Sequence, residues 1–153
     1  MEIGDRMRVD WRRFDDFSTE QLYEVLRFRQ AIFVVEQRCA YPDLDGGDQY
    51  AQHLLLRVDA ELAGCLRLIP YPDKSRVAIG RVAVGIDYRG RGLARRMMQA
   101  ALDRCRRDHP DRAVTLTAQT YLVPFYESLG FCTTSVPYDD YGLAHIDMIL
   151  TGG

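Results

Sequence analysis

A chain of 153 residues, 47% of them apolar, can bury one hydrophobic core and is expected to form a single domain over 1–153. Its 20 basic and 22 acidic side chains leave a net charge of −2, so no overall field draws it to nucleic acid or an anionic membrane, and any basic site must be local. The longest apolar runs, "AIFVV" at 31–35 and "HLLLRV" at 53–58, fall far short of the roughly 20 residues that span a bilayer; with no apolar stretch or cleavage site in "MEIGDRMRVDWRR", a cytoplasmic location is expected.

Residues 7–14 alternate enough for a short edge strand. "FSTEQLYEVLRFRQAIF" then carries a helix start signal, because Ser18 stands three residues before Gln21, the spacing of a capping box. Leu22, Val25, Leu26, Arg29 and Phe33 follow on one helical face. "RCAYPDLDGGDQYAQ" is a long polar connection, and residues 53–59 and 61–69 form a hairpin turning at Asp59 and Ala60. After the loop "PYPDKS", "RVAIGRVAV" is a β-branched strand with Gly80 inside it. Over 92–107, Leu93, Met97, Ala101 and Cys105 recur every fourth residue with Ala94, Met98 and Leu102 beside them, while Arg95, Arg96, Gln99, Asp103 and Arg106 face away. That pattern predicts an amphipathic helix packed on a sheet. "AVTLTA" is a buried strand, and 122–129 a short helix closed by Gly130 in a left-handed cap. Two last strands, near 131–138 and 144–150, are separated by the turn "DDYG". The order predicts an α/β (α+β) fold, a mixed sheet with helices on its faces.

Chemistry concentrates in "YRGRGLARR", where four arginines fall between 89 and 96. Gly90 and Gly92 remove the β-carbons that would hold a ligand off the backbone, and the following helix aims its unpaired N–H groups at that point. Arg89, Arg91 and Arg95 add positive charge to the helix N-terminus, so the loop is an anion cradle suited to a pyrophosphate. The Walker pattern fails because Leu93 and Ala94 stand where Lys and Ser/Thr are needed, and the dinucleotide fingerprint fails because Arg95 occupies its third glycine position. Nucleic-acid binding is not expected from an acidic chain with no aromatic interleaving there. Asp43, Asp45 and Asp48 in "PDLDGGD" lack the later glutamate of a calcium loop and are expected to form a polar turn, so no metal is expected. Cys39, Cys65, Cys105 and Cys132 form no C-x-x-C pair and are expected to be free thiols.

Arg89, Gly92 and Ala94 satisfy Arg-x-x-Gly-x-Ala, and here the chain resembles the GNAT superfamily of N-acetyltransferases, which hold the pyrophosphate of acetyl-CoA in such a loop. "LVPFYESLGF", 122–131, is similar to the superfamily's second cofactor motif, a helix whose tyrosine lies beside the sulfur. The blocks "LRFRQAIFVVEQRCAYPDLDGGD", "HLLL", "LAGCLRLIP", "IGRVAV", "TAQ" and "AHIDM" resemble the ElaA-like acetyltransferases over about 22–148.

The resemblance implies a mostly antiparallel sheet splayed between its fourth and fifth strands, with the pantetheine arm in the gap. Val82, Ala83 and Val84 would bond that arm and the thioester carbonyl through their backbone, Gln119 would bond the cofactor amide, and Arg89, Gly90, Arg91, Gly92, Leu93, Ala94 and Arg95 would hold the pyrophosphate. Tyr126 is the expected acid for the leaving thiolate, since a phenol of pKa near 10 stays protonated at neutral pH. Glu36, His53 and His145 are available as the base, and no spacing singles one out; Glu36 ends the first helix where the superfamily binds acceptors. The implied activity is acetyl transfer to a small-molecule or peptide amine by direct attack in a ternary complex. Two alternatives stay open: an acyl-CoA sensor without turnover, and an acyl-homoserine-lactone synthase, whose fold and "RLIP" hairpin are similar. For oligomeric state, a homodimer is the default for a soluble enzyme.

Overall fold

The computed structural model describes residues 6–73 and 75–151; the expectations that fall on residues 1–5 of the opening segment and on Lys74 of the "PYPDKS" loop lie outside these. Strand β1 (Met7–Arg13) is followed by helix α1 (Thr19–Gln30). Ser18 caps α1 as its spacing predicts: its Oγ accepts the Gln21 N–H at 3.1 Å, and Gln21 Oε1 accepts the Ser18 N–H at 3.0 Å. Such a cap contributes about 1 kcal/mol. The chain then continues as a π-helical turn, Ala31–Glu36, where the sequence predicts no change of winding. Strands β2 (Gln52–Val58) and β3 (Glu61–Pro70) form the expected hairpin, and Asp59 and Ala60 both adopt positive φ (49° and 72°). Positive φ at both central residues is what a tight turn between right-twisted strands demands.

Strand β4 (Arg76–Val84) leads into helix α2 (Leu93–Asp108), β5 (Ala113–Gln119) and the short helix α3 (Val123–Glu127). Three strands end the chain: β6 (Phe131–Thr133), β7 (Tyr138–Asp140) and β8 (Leu143–Leu150). The single strand expected over 131–138 is thus two, β6 and β7, which pair with opposite ends of β8. The sheet runs β1-β2-β3-β4-β5-β8-β6 with β7 beside β8, and every pairing is antiparallel except that of β4 with β5.

Alternation along the central strands sorts their side chains between two cores. Leu54, Leu56, Leu66 and Leu68 point to the face that buries Leu93, Met97, Met98, Ala101, Leu102 and Cys105 of α2. Leu55 and Cys65 point the other way, to Val25 and Ile32. Each such leucine, methionine, valine or isoleucine contributes roughly 1.5–3 kcal/mol by leaving water.

Two irregularities shape the middle of the sheet. The β4–β5 ladder runs only from Arg76/Ala113 to Ile79/Leu116, although β4 continues to Val84 and β5 to Gln119, so the two strands splay. Just beyond the last pair, β4 carries a bulge: Cys65 pairs with Ala83 and Arg67 with Gly80, leaving Arg81 and Val82 opposite Leu66. Arg81 takes the positive φ (52°) that the extra residue requires.

Candidate active site

The splay opens a cavity of about 580 Å³, within the usual range for small-ligand sites. Its walls come from β4 (Gly80, Arg81, Val82), β5 (Thr117, Gln119), β8 (His145, Asp147), the loop after the π-helical turn (Cys39, Tyr41) and Tyr126 of α3. At the α2 end, Gly90 and Gly92 turn the chain with φ of 78° and 76°. Gly90, Gly92, Leu93, Ala94 and Arg95 direct main-chain N–H groups that have no acceptor among the described residues, and the first bond of the helix is Arg96 N–H to Gly92 O at 3.1 Å. Unpaired donors at a helix N-terminus are the chemistry that an anion site requires.

The arginines around this turn are held by the protein. Arg95 donates to Ser128 Oγ at 2.7 Å and lies over the Phe125 ring, tying α2 to α3. Arg91 lies over Tyr88, 5.5 Å from its centroid. Arg89 makes a bidentate ion pair with Glu36 at 2.7 and 2.9 Å and donates Nε–H to Val84 O at 2.9 Å. Two of the residues expected at the site are engaged by these bonds. Glu36 does not line the cavity, and the Arg89 bond holds its carboxyl below the ordinary range, which makes it a poor proton acceptor. Val84 has its carbonyl already occupied, so of its two backbone groups only the N–H is left for a ligand.

Tyr126 is buried at 7% exposure, wedged edge-on between Phe125 and Phe131, and still lines the cavity. Burial pushes its phenol up to about 12, and its hydroxyl has no hydrogen-bond partner among the described residues. A protonated donor with nothing to donate to is thereby kept beside the open space. Gln119 ends β5 with its amide 3.4 Å from Gln37 Oε1, also on the cavity wall. Ala83 is buried in the α1-side core, and Val82 lines the opening.

His53 is not at this site. Its ring is buried against Phe17, its Nε2 sits 2.9 Å from Asp48 O, and it does not line the cavity; burial holds its pKa below the ordinary histidine value.

What the sequence reading missed lies under the polar connection. Asp43, Asp45 and Asp48 close onto three arginines from the sheet and α1. Arg29 bonds Asp43 at 3.1 Å and Asp48 at 2.7 Å; Arg67 bonds Asp45 at 2.6 Å and Asp48 at 2.9 Å; Arg81 bonds Asp43 at 2.7 Å. Tyr41 completes the cluster by donating to Asp43 at 3.1 Å. The signal was available: Arg67 and Arg81 interrupt apolar strands and Arg29 stands in the apolar face of α1, where a charge needs a partner. Carboxylates so engaged are ion-pair partners.

All four cysteines are free thiols, and Cys39, Cys65 and Cys105 are buried. Burial pushes the Cys65 thiol to about 12 and that of Cys105 to about 11. Cys39, on the cavity wall, donates to Tyr141 O at 3.4 Å. No helix among the described residues is long and apolar enough to cross a membrane.

This architecture is shared. The family model described as the acetyltransferase (GNAT) domain matches residues 14–151. The UPF0039 protein sll0451 of Synechocystis is 40% identical over 91% of this chain and 92% of its own, and protein ElaA of Escherichia coli is 37% identical over 92% and 95%. Among solved structures, Escherichia coli ElaA superposes with a TM-score of 0.90 at 35% identity, covering 95% of this chain and all (100%) of that one. An acyl-CoA N-acyltransferase from Pseudomonas aeruginosa gives 0.89 at 32%, with the same coverage of 95% and 100%. With the splayed strands, the glycine turn and the tyrosine helix in place, the chain belongs to the GNAT acetyltransferase family and is, by that membership, a transferase of the ElaA-like kind.

Proposed function

We propose that the protein transfers an acetyl group from acetyl-CoA to a small-molecule or peptide amine by direct attack in a ternary complex. One observation carries the reading: a helix N-terminus with unpaired N–H groups stands at one end of a strand splay, and Tyr126 stands inside it. The residues suit the coenzyme. The N–H groups of Gly90, Gly92, Leu93, Ala94 and Arg95 offer donors for a pyrophosphate, with Arg89, Arg91 and Arg95 alongside. Among the described residues β4 and β5 do not pair beyond Ile79 and Leu116, and Val82, Ala83, Val84 and Gln119 fall on those diverging ends, which supports an extended arm lying between them. The coenzyme supplies an acyl group activated as a thioester.

The departing thiolate needs a proton, and Tyr126 holds one at neutral pH because burial disfavours its phenolate. Direct transfer is supported by the placing of the thiols: Cys65 and Cys105 are buried away from the cavity, and Cys39, the cysteine on its wall, is buried with its Sγ–H donating to Tyr141 O at 3.4 Å. Calorimetry with acetyl-CoA and an assay of CoA-thiol release over a panel of amines test the reading. We expect binding in the wild type, turnover with at least one amine, and a kcat about 10²-fold lower for Tyr126→Phe with acetyl-CoA binding retained. Acetyl-CoA binding without turnover of any amine would instead favour a sensor.

A further inference from the structure

We propose that His145 is the catalytic base, taking the proton of the attacking amine on Nε2. The inference rests on the acetyl-transfer reading above. His145 lies on β8 directly across from Gln119, the last residue of β5, and its side chain lines the same cavity as Tyr126. Its Nδ1 is 2.8 Å from Leu143 O. A carbonyl only accepts, so Nδ1 carries the hydrogen, and in the neutral ring Nε2 keeps its lone pair. Among the described residues nothing bonds Nε2.

The ring is also held in place. Tyr138 stacks on it with centroids 6.5 Å apart and planes at 29°. The Tyr138 hydroxyl donates to Asp147 Oδ1 at 2.6 Å, and the same oxygen accepts from Thr117 at 3.2 Å, so one carboxylate links β5, β7 and β8 behind the imidazole. The other groups weighed for this role are engaged elsewhere: Glu36 with Arg89, His53 with Asp48 O. Asp45 is tied to Arg67 and Arg81, and Asp147 already accepts two hydroxyls. A carboxylate is in any case a weaker base than an imidazole by about two pKa units.

The chemistry closes on these groups. The neutral amine nitrogen bonds the thioester carbonyl carbon, and its proton passes to His145 Nε2. As the C–S bond breaks, the sulfur takes the Tyr126 proton, giving amide and free thiol. The imidazolium proton returns to the tyrosinate through water, restoring both residues. Charged and titratable groups sharing the cavity with His145 are Arg67, Arg76 and Arg81 from β3 and β4, Cys39, Tyr41 and Asp45 from the loop, and Asp140, Tyr141 and Asp147 from the β7–β8 hairpin, with Tyr71 and Tyr126; Tyr138 stacks directly on the ring.

The test uses the full chain with 2-phenylethylamine, spermidine and a peptide with a free N-terminus as probe amines. The kcat pH profile is compared with the titration and tautomer of the His145 ring read by NMR. The Nδ1–H tautomer is expected, with the acidic limb of kcat following the titration of the ring. His145→Gln is expected to lower kcat about 10²–10⁴-fold, to remove that limb and to leave KM for acetyl-CoA unchanged. A hydrogen on Nε2, a limb that does not match the ring's titration, or a variant that keeps the limb would each overturn the proposal, and the first two need no variant to fold. Failure of His145 alone leaves wild-type turnover intact. Wild-type protein that binds no acetyl-CoA or acetylates none of the probes removes the underlying reading, and this proposal with it.

Discussion

Two ion pairs of the same chemistry show how burial decides what a charge is worth. Glu36 and Arg89 are about two-fifths exposed (39% and 40%), where such a pair contributes at most about 1 kcal/mol; its consequence is to hold the cradle arginine against the end of the π-helical turn. Asp48 is different. One of its oxygens takes both Arg29 at 2.7 Å and Arg67 at 2.9 Å, and these three side chains are 8%, 2% and 5% exposed. Burial alone would raise its carboxyl pKa, but the two guanidinium groups outweigh burial and hold it below the ordinary value. Asp48→Asn leaves two buried cations short of a partner and is expected to cost about 3–5 kcal/mol in denaturant melts. The pH sign follows. A carboxyl with a lower pKa folded than unfolded contributes stability above the unfolded value near 3.9 and loses it as pH falls through the folded one. Asp45, lowered chiefly by its bond to Arg67, adds in the same direction. The wild type is therefore expected to lose stability steeply below about pH 4, and Asp48→Asn to show a shallower slope there; parallel slopes would mean that Asp48 stays ionised, or protonates equally, in both states.

At the scale of elements, the turn before α2 makes the cradle. Gly92 caps the helix at φ 76°, and a β-carbon there would meet nothing within 4 Å, so Gly92→Ala pays only in backbone strain, about 1–2 kcal/mol. Because the strain relaxes by rotating the N–H groups of the first turn, we expect weaker acetyl-CoA binding by calorimetry as well as a lower melting temperature; unchanged affinity would show that the left-handed turn does not set the donors. This element was legible in the sequence because its cause is local: glycines, arginines and a helical stripe within one short stretch. The capping box of α1 and the β2–β3 hairpin were legible for the same reason. The bulge at Arg81 was not, since a non-glycine residue holds φ 52° there with its guanidinium bound to Asp43, which lies far off in sequence. Nor was β7, a three-residue exposed strand defined by its pairing with β8. At the site, Arg89 to Ala94 and Tyr126 could be picked out by motif. The placing of His145 across from Gln119 depends on a register between strands far apart in the chain, and His53 looked equivalent to it until burial separated them.

At the scale of the whole molecule, the sheet is two halves with a narrow joint. Among the described residues the only strand pairing between β1–β4 and β5–β8 is the ladder from Arg76/Ala113 to Ile79/Leu116, reinforced by α2. Past that ladder the strands diverge around the cavity, so a ligand lying in the splay bridges both halves, whereas one held only at the α2 turn touches a single end. The two cases separate experimentally. Any ligand that binds the folded state at about 100 times its Kd adds about 2.7 kcal/mol, or roughly 5–11 °C in melting temperature for a chain of this size. We expect acetyl-CoA to give that shift and also to slow hydrogen exchange at main-chain amides of β4 beyond Ile79 and of β5 beyond Leu116, which lack a partner across the splay. Adenosine diphosphate, which offers the pyrophosphate without the arm, should raise the melting temperature less and leave those strand ends exchanging as in the free protein. Equal protection by both compounds would mean that the joint tightens from the glycine turn alone, and that the splay is not where the thioester arm lies.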